Sequence, residues 1–155
     1  ISHGIVSAGL FLSIGLLYER TKSRIMDDYN LIIKTMPIFS LFFLVLVLSS
    51  VGLPGTSGFV GELLVVIGVF KNFLILGFII SSGIILGAVY MMSLVRKIIF
   101  TGSNNNVVTE LNDLSVLEIL LMLFLVFFTL LLGLFPNIIL NITETSVIEL
   151  LKNFN

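Results

Sequence analysis

Apolar residues dominate four stretches, 1–17, 38–70, 73–95 and 114–135, separated by short polar segments. A membrane crossing needs about 20 mostly apolar residues, so the pattern predicts an all-α integral membrane protein with about four transmembrane helices. The first run is marginal in length. The second is too long: at about 1.5 Å per residue, a continuous helix over 38–70 would reach about 50 Å, against a hydrocarbon core of about 30 Å. It also carries its own breaker. Pro54 cannot donate a backbone hydrogen bond and disfavours helix at Leu53, while Gly52, Gly55, Gly58 and Gly61 lower the cost of irregular backbone. The expectation is one crossing broken at 53–58, through Pro54, Gly55, Thr56, Ser57 and Gly58, with Thr56 or Ser57 capping the second half-helix. The alternative is a pair of re-entrant halves, 38–51 and 60–70, each short for spanning.

After Pro136 the pattern changes. Ile139, Ile142, Val147, Leu150 and Leu151 alternate with Asn141, Thr143, Glu144, Glu149 and Lys152, which predicts an amphipathic helix over about 138–152. The chain therefore divides into a membrane domain, 1–136, and a tail, 137–155, lying on the membrane or against neighbouring subunits. Small residues at Gly83 and Gly87, and at Gly9 and Ser13, have the spacing at which membrane helices meet. With one broken crossing, loops 18–36 and 96–113 share a side and hold Arg20, Lys22, Arg24, Lys34, Arg96 and Lys97; the other side has Lys71 and Lys152. That bias places the first side in the cytoplasm or matrix and the tail on the outer face.

Composition agrees with the pattern. The 155 residues are 57% hydrophobic and 11% charged, with a mean hydropathy of +1.20, well outside the range of soluble domains. A net charge of −1 gives no basic surface for nucleic acid. Cysteine is absent, which removes disulfides, thiolate metal sites and Cys nucleophiles, so any redox chemistry belongs to another chain. Alanine occurs twice, at Ala8 and Ala88, amid abundant Ile, Leu, Phe and Asn, a bias that fits an AT-rich genome such as that of many mitochondria. The apolar run begins at Ile1 without a signal peptide's charged start, so the expectation is a fragment or a split-gene product with an unusual start codon. In the split-gene case His3 docks against helices of another polypeptide.

Against this background Glu62 stands out. An acid inside an apolar run is costly to keep ionised, and beside a helix break it reads as a proton or ion site; the plainer alternative is a cap or ion pair. An apolar surrounding favours the neutral acid and a nearby cation the carboxylate, and with no Lys in these runs the cation is His3 or a residue outside this chain. His3, with an unperturbed pKa of about 6.5, suits a proton relay, or simply a backbone hydrogen bond. Ser2 and Ser7 are candidates for a hydrated path, as is Tyr90, which also fits an ordinary packing role. Glu118, near the start of the fourth run, can reach the interface, and the mixed charges of 19–28 read as a solvated connection. One His and one membrane carboxylate do not make a metal site, and neither a nucleophile–base set nor a nucleotide loop is present.

The wording of several segments adds to this reading. His3-Gly4-Ile5-Val6-Ser7-Ala8-Gly9, Tyr18-Glu19-Arg20-Thr21-Lys22-Ser23-Arg24, Met36-Pro37, Gly52-Leu53-Pro54-Gly55-Thr56-Ser57-Gly58-Phe59-Val60-Gly61-Glu62, Gly87-Ala88-Val89-Tyr90, Arg96-Lys97 and Gly133-Leu134-Phe135-Pro136 occur in this order. Together they closely resemble the chain 4 family of respiratory complex I, called subunit M in bacteria, over the C-terminal third of its antiporter-like fourteen-helix fold. The resemblance implies a proton-translocating part of NADH:ubiquinone oxidoreductase in an energy-coupling membrane, most simply the mitochondrial inner membrane or else the bacterial plasma membrane. It assigns Glu62 the family's terminal acidic position in the broken twelfth helix, facing the outlet, and His3 its relay histidine. NADH, FMN, iron–sulfur clusters and ubiquinone are implied for other subunits, with no catalytic residue or cofactor in this chain. Expected partners are the N-terminal part of the same subunit as a separate chain, neighbouring antiporter-like subunits tied by the tail, and membrane lipids. The family's earlier helices, with the inlet carboxylate and relay lysines, are missing here. Related readings are a subunit of a cation/proton antiporter or membrane-bound hydrogenase, and a non-conducting scaffold.

Overall fold

The computed structural model describes residues 1–29, 31–101 and 111–154; residues 102–110 of the expected second basic loop and residue 155 of the tail lie outside it. Its helices are α1 (Ser2–Thr21), the single turn α2 (Ile32–Thr35), α3 (Pro37–Ser50), α4 (Ser57–Asn72), α5 (Leu74–Val95), α6 (Val116–Leu134) and α7 (Asn137–Phe154). A 3₁₀ turn at Met26–Asp28 follows α1, and a π turn at Arg96–Phe100 prolongs α5. The described residues are all-helical apart from their connections, as the apolar pattern requires. Two helices, Leu74–Phe100 and Val116–Leu134, are long and apolar enough to cross a membrane on their own. The 38–70 run is not one helix: α3 stops at Ser50 and α4 starts at Ser57.

Packing is dense at one end. Ile32, Met36, Phe39, Leu46 and Val47 have no exposed surface, and Val95 and Ile99 are buried with them. Phe39 and Phe43 stack with ring centroids 5.8 Å apart. The outer surfaces of α5 and α6 are the reverse, with Ile75 78% and Leu117 69% exposed, the surface that a lipid environment would cover. Small-residue spacing has two outcomes. Gly9 lets α1 approach α3 so closely that a Cβ there would lie 2.8 Å from the Leu46 methyls, and buried Ser13 faces Met122 of α6. Gly83 and Gly87, expected at a helix contact, have open space beside them.

Two side chains that the pattern did not single out fasten the packed end. Pro37 opens α3 without an N–H, and the following donors, Ile38 and Phe39, are taken by the Asp113 carboxylate at 2.8 and 3.2 Å. Arg20, in the last turn of α1, donates to the carbonyls of Asn112, Asp113 and Leu16 and to Glu118 Oε2 at 2.6 Å. Glu118 also accepts from the Ser115 N–H at the start of α6. Its expected reach toward the interface is thus an ion pair, with both side chains about 15% exposed. Because Arg20 meets Asn112, and the Leu31 N–H meets the Thr101 carbonyl, the two basic loops lie at the same end of the bundle.

Replacing Arg20 with Ala leaves the Glu118 carboxylate without its cation. The variant is expected to lose about 1–3 kcal/mol of stability, read as a lower thermal midpoint and reduced subunit in membranes, with Arg20→Lys recovering part of it.

Candidate functional site

The break is a sequence of two hydrogen-bonded stops. At the end of α3, Gly52 is left-handed at φ 70°; its N–H donates to the Ser49 carbonyl and the Leu53 N–H to the Leu48 carbonyl, which together make a Schellman stop. Leu53 to Thr56 then turn: the Thr56 N–H bonds the Leu53 carbonyl at 3.0 Å, with Pro54 second and Gly55, at φ 94°, third, as a type II turn demands. The irregular stretch is therefore residues 51–56, two residues earlier than expected, and Gly58 belongs to α4. Thr56 occupies the N-cap position without capping, since its hydroxyl donates to the Leu53 carbonyl at 2.7 Å. Ser57 does not cap either; its hydroxyl is 2.8 Å from that of Ser2.

Helix α6 braces the turn. A Cβ on Gly133 would collide with the Gly55 carbonyl and the Thr56 backbone, so only glycine allows this approach. Gly58 has the same relation to α3, where a Cβ would lie 2.5 Å from the Ser49 carbonyl.

Glu62 sits in the second turn of α4, half-buried, with its carboxylate directly against Gly52, where a Cβ would overlap the oxygen. Two cavities meet at this residue. One, about 370 Å³, is lined by Ser2, His3, Ser7, Ser49, Ser50 and Glu62 among others, between α1, α3 and α4. The other, also about 370 Å³, lies toward α5 and is lined by Ser50, Glu62, Gly83, Gly87 and Tyr90 among others. Among the described residues Glu62 forms neither an ion pair nor a hydrogen bond, and the buried Ser49 hydroxyl has no partner.

The structure thus brings Ser2, His3, Ser7 and Glu62 around one cavity and sets Tyr90 on the other, with 67% of its surface exposed. Ser7 also donates to the Gly4 carbonyl at 3.3 Å within its own helix. Sequence reasoning passed over Ser49, Ser50, Gly52 and Gly133 as site residues. The available signals were the paired hydroxyls just ahead of the break and the position of Gly52 directly after the last turn of α3. Nothing local marks Gly133, because its partner is 77 to 78 residues away in sequence.

The all-helical, membrane-type fold thus places an acid on a broken apolar helix with a cavity on either side. Residues 1–87 match the family described as NADH:quinone oxidoreductase/Mrp antiporter, TM, and the chain belongs to that family. It is 42% identical to the NADH-quinone oxidoreductase subunit M of Rickettsia prowazekii (strain Madrid E), over 99% of this chain and 31% of that protein. It is 37% identical to the NADH-ubiquinone oxidoreductase chain 4 of Marchantia polymorpha, over 99% of this chain and 31% of that protein. A chain in the structure of respiratory complex I from Thermus thermophilus with bound NADH superposes with a TM-score of 0.82 and 32% identity, covering 90% of this chain and 29% of that one. The chain therefore spans about 31% of the length of these curated relatives.

Gly133→Ala is expected to push α6 off the turn, because the collision is with backbone. Gly9→Ala meets only the mobile end of Leu46. Faster proteolysis near the break in Gly133→Ala, with Gly9→Ala close to wild type, is the predicted outcome; equal sensitivity would remove the bracing role.

Proposed function

We propose that this chain is the outlet-side portion of the antiporter-like subunit M/chain 4 of respiratory complex I, and that Glu62 carries protons there for a complex that couples NADH oxidation by quinone to proton movement. The observation that carries this reading is the Glu62 carboxylate without an ionic partner among the described residues, at the junction of two cavities inside an apolar helix. A carboxylate fixed as a structural cap would hold an N–H or a cation, as Glu118 does. His3 and the hydroxyls of Ser2 and Ser7 furnish the entry side of the path. The redox steps and their cofactors belong to other subunits.

The relatives' names favour complex I over a cation/proton antiporter. The proposed location is an energy-coupling membrane, the mitochondrial inner membrane in a eukaryotic host, with basic loops 18–36 and 96–113 on the matrix side and α7 on the outer side. The apolar positions of α7, including Ile142 at 74% exposure, then lie against lipid or a neighbouring antiporter-like subunit. The remaining helices of the subunit supply the inlet half of the path.

Glu62→Gln in the assembled complex is expected to abolish or strongly reduce proton translocation, while NADH oxidation by an artificial acceptor in the peripheral arm persists. Undiminished translocation rejects the role. Removal of residues 143–155 is expected to lower the yield of assembled complex, measured by native electrophoresis.

A further inference from the structure

Lys97 closes a stripe along α5. Gly83, Gly87, Tyr90, Leu94 and Lys97 follow one another at alternating intervals of four and three residues, so they share one face of the helix that α5 and the π turn form together. Gly83, Gly87 and Tyr90 line the α5-side cavity of about 370 Å³, opposite Ser50, Val51 and Glu62, and Cβ atoms built on the two glycines meet nothing within 4 Å. The stripe is therefore an open slot beside the break. At the Lys97 end its character changes. In the π turn Ile98 and Ile99 are buried, whereas Arg96, Lys97 and Phe100 are exposed. That turn packs against α2, where Ile32 is buried and Lys34 exposed, and the Leu31 N–H donates to the Thr101 carbonyl at 3.0 Å to hold the two segments together. Asp113 is engaged by the first N–H groups of α3 and Glu118 by Arg20; among the described residues Lys34, Arg96 and Lys97 form no ion pair.

We propose that this slot and its cations bind one anionic phospholipid, with the phosphate on Lys97 and Lys34 and one acyl tail lying along Tyr90, Gly87 and Gly83 as far as the α5 flank of Glu62. Depth supports the match. At about 1.5 Å per residue Gly87 lies about 15 Å from Lys97 along the helix, and one leaflet's hydrocarbon is about 15 Å deep, half of a core of about 30 Å. The glycines make room for a tail where larger side chains would close the slot. A neighbouring helix packed along the whole stripe would also have to cover the Lys97 ammonium, which is costly to bury without a counter-charge; a phosphate supplies that charge and an acyl tail asks for no hydrogen bonds. Arg96, one position away, adds to the attraction without sharing the stripe. The site goes beyond the proton-carrying role proposed for Glu62 and does not depend on it.

The test places the assembled complex in phosphatidylcholine vesicles doped with phosphatidylglycerol carrying a diazirine near the end of one tail, or with phosphatidylcholine carrying the same tail. Crosslinks mapped by peptide mass spectrometry are expected at Ile84, Gly87 and Tyr90 in excess with the anionic lipid, whereas Ile85 and Val89, on the opposite face of α5, label equally with both. Lys97→Gln combined with Lys34→Gln is expected to lower slot labelling by the anionic lipid about fivefold or more. Gly87→Val, which fills the slot, is expected to lower labelling of Ile84 and Tyr90 by either lipid. Equal slot labelling by the two lipids in the wild type overturns the proposal, as does the absence of slot labelling, the result if a neighbouring helix fills the groove. Undiminished labelling in an assembled variant of either kind overturns it too. If neither variant assembles, the wild-type comparison of the two lipids decides alone. Glu62→Gln is expected to keep the labelling, so a failure of the proton role would leave the lipid site standing.

Discussion

The structure depends on a helix that stops partway along an apolar segment without leaving its backbone bare. In hydrocarbon an unpaired carbonyl or N–H costs several kcal/mol, so a break is tolerable only if the freed groups find partners. Here the carbonyls of Val47, Leu48, Ser49 and Leu53 all accept backbone hydrogen bonds within the break. The stop and the turn that follows it are thus self-satisfied at these positions. What the break supplies instead is shape. Gly52 removes a side chain where the carboxylate of Glu62 needs to sit, and Gly55 lets the chain re-enter a helix within a few residues.

A break of this kind needs a fixed frame. Its near side hangs from α3, whose first turn is held by Asp113 and whose middle is locked by Phe39, Leu46 and Val47. Arg20 gathers α1, the segment before α6 and α6 itself at the same end. A guanidinium suits this position because its planar fork serves several carbonyls and a carboxylate at once. Farther along, α6 reaches the turn and presses Gly133 against it. The carboxylate site is therefore placed by contacts made at both ends of α3, while α5 carries most of its side chains, and α4 about half, on exposed surfaces.

The contrast between the two membrane-run acids shows how position assigns chemistry. Glu118 lies in the first turn of α6, within reach of Arg20 and the Ser115 N–H, and is used as a structural anchor. Glu62 lies one turn past a break, against a glycine, with cavities on both sides and no anchor among the described residues. The same functional group serves as a fastening in one place and, in the function proposed above, as a proton carrier in the other.

Much of this was open to reading from the chain itself. The four apolar runs, the excess length of the second, the punctuation by Pro54 and its glycines, and the amphipathic tail are local features, and local physics sets them: hydrophobic length against bilayer thickness, and the backbone limits of proline and glycine. Glu62 as the unusual residue follows from the same cost. Which groups surround it does not. That His3 and Tyr90 line the two different cavities that meet at Glu62, that Gly133 braces the turn, that Asp113 and Arg20 tie distant segments, and that Gly83 and Gly87 border open space are matters of which helix faces meet. Those faces are set by packing between residues tens of positions apart, and helical periodicity in a run apolar on every side carries no mark of which face turns inward.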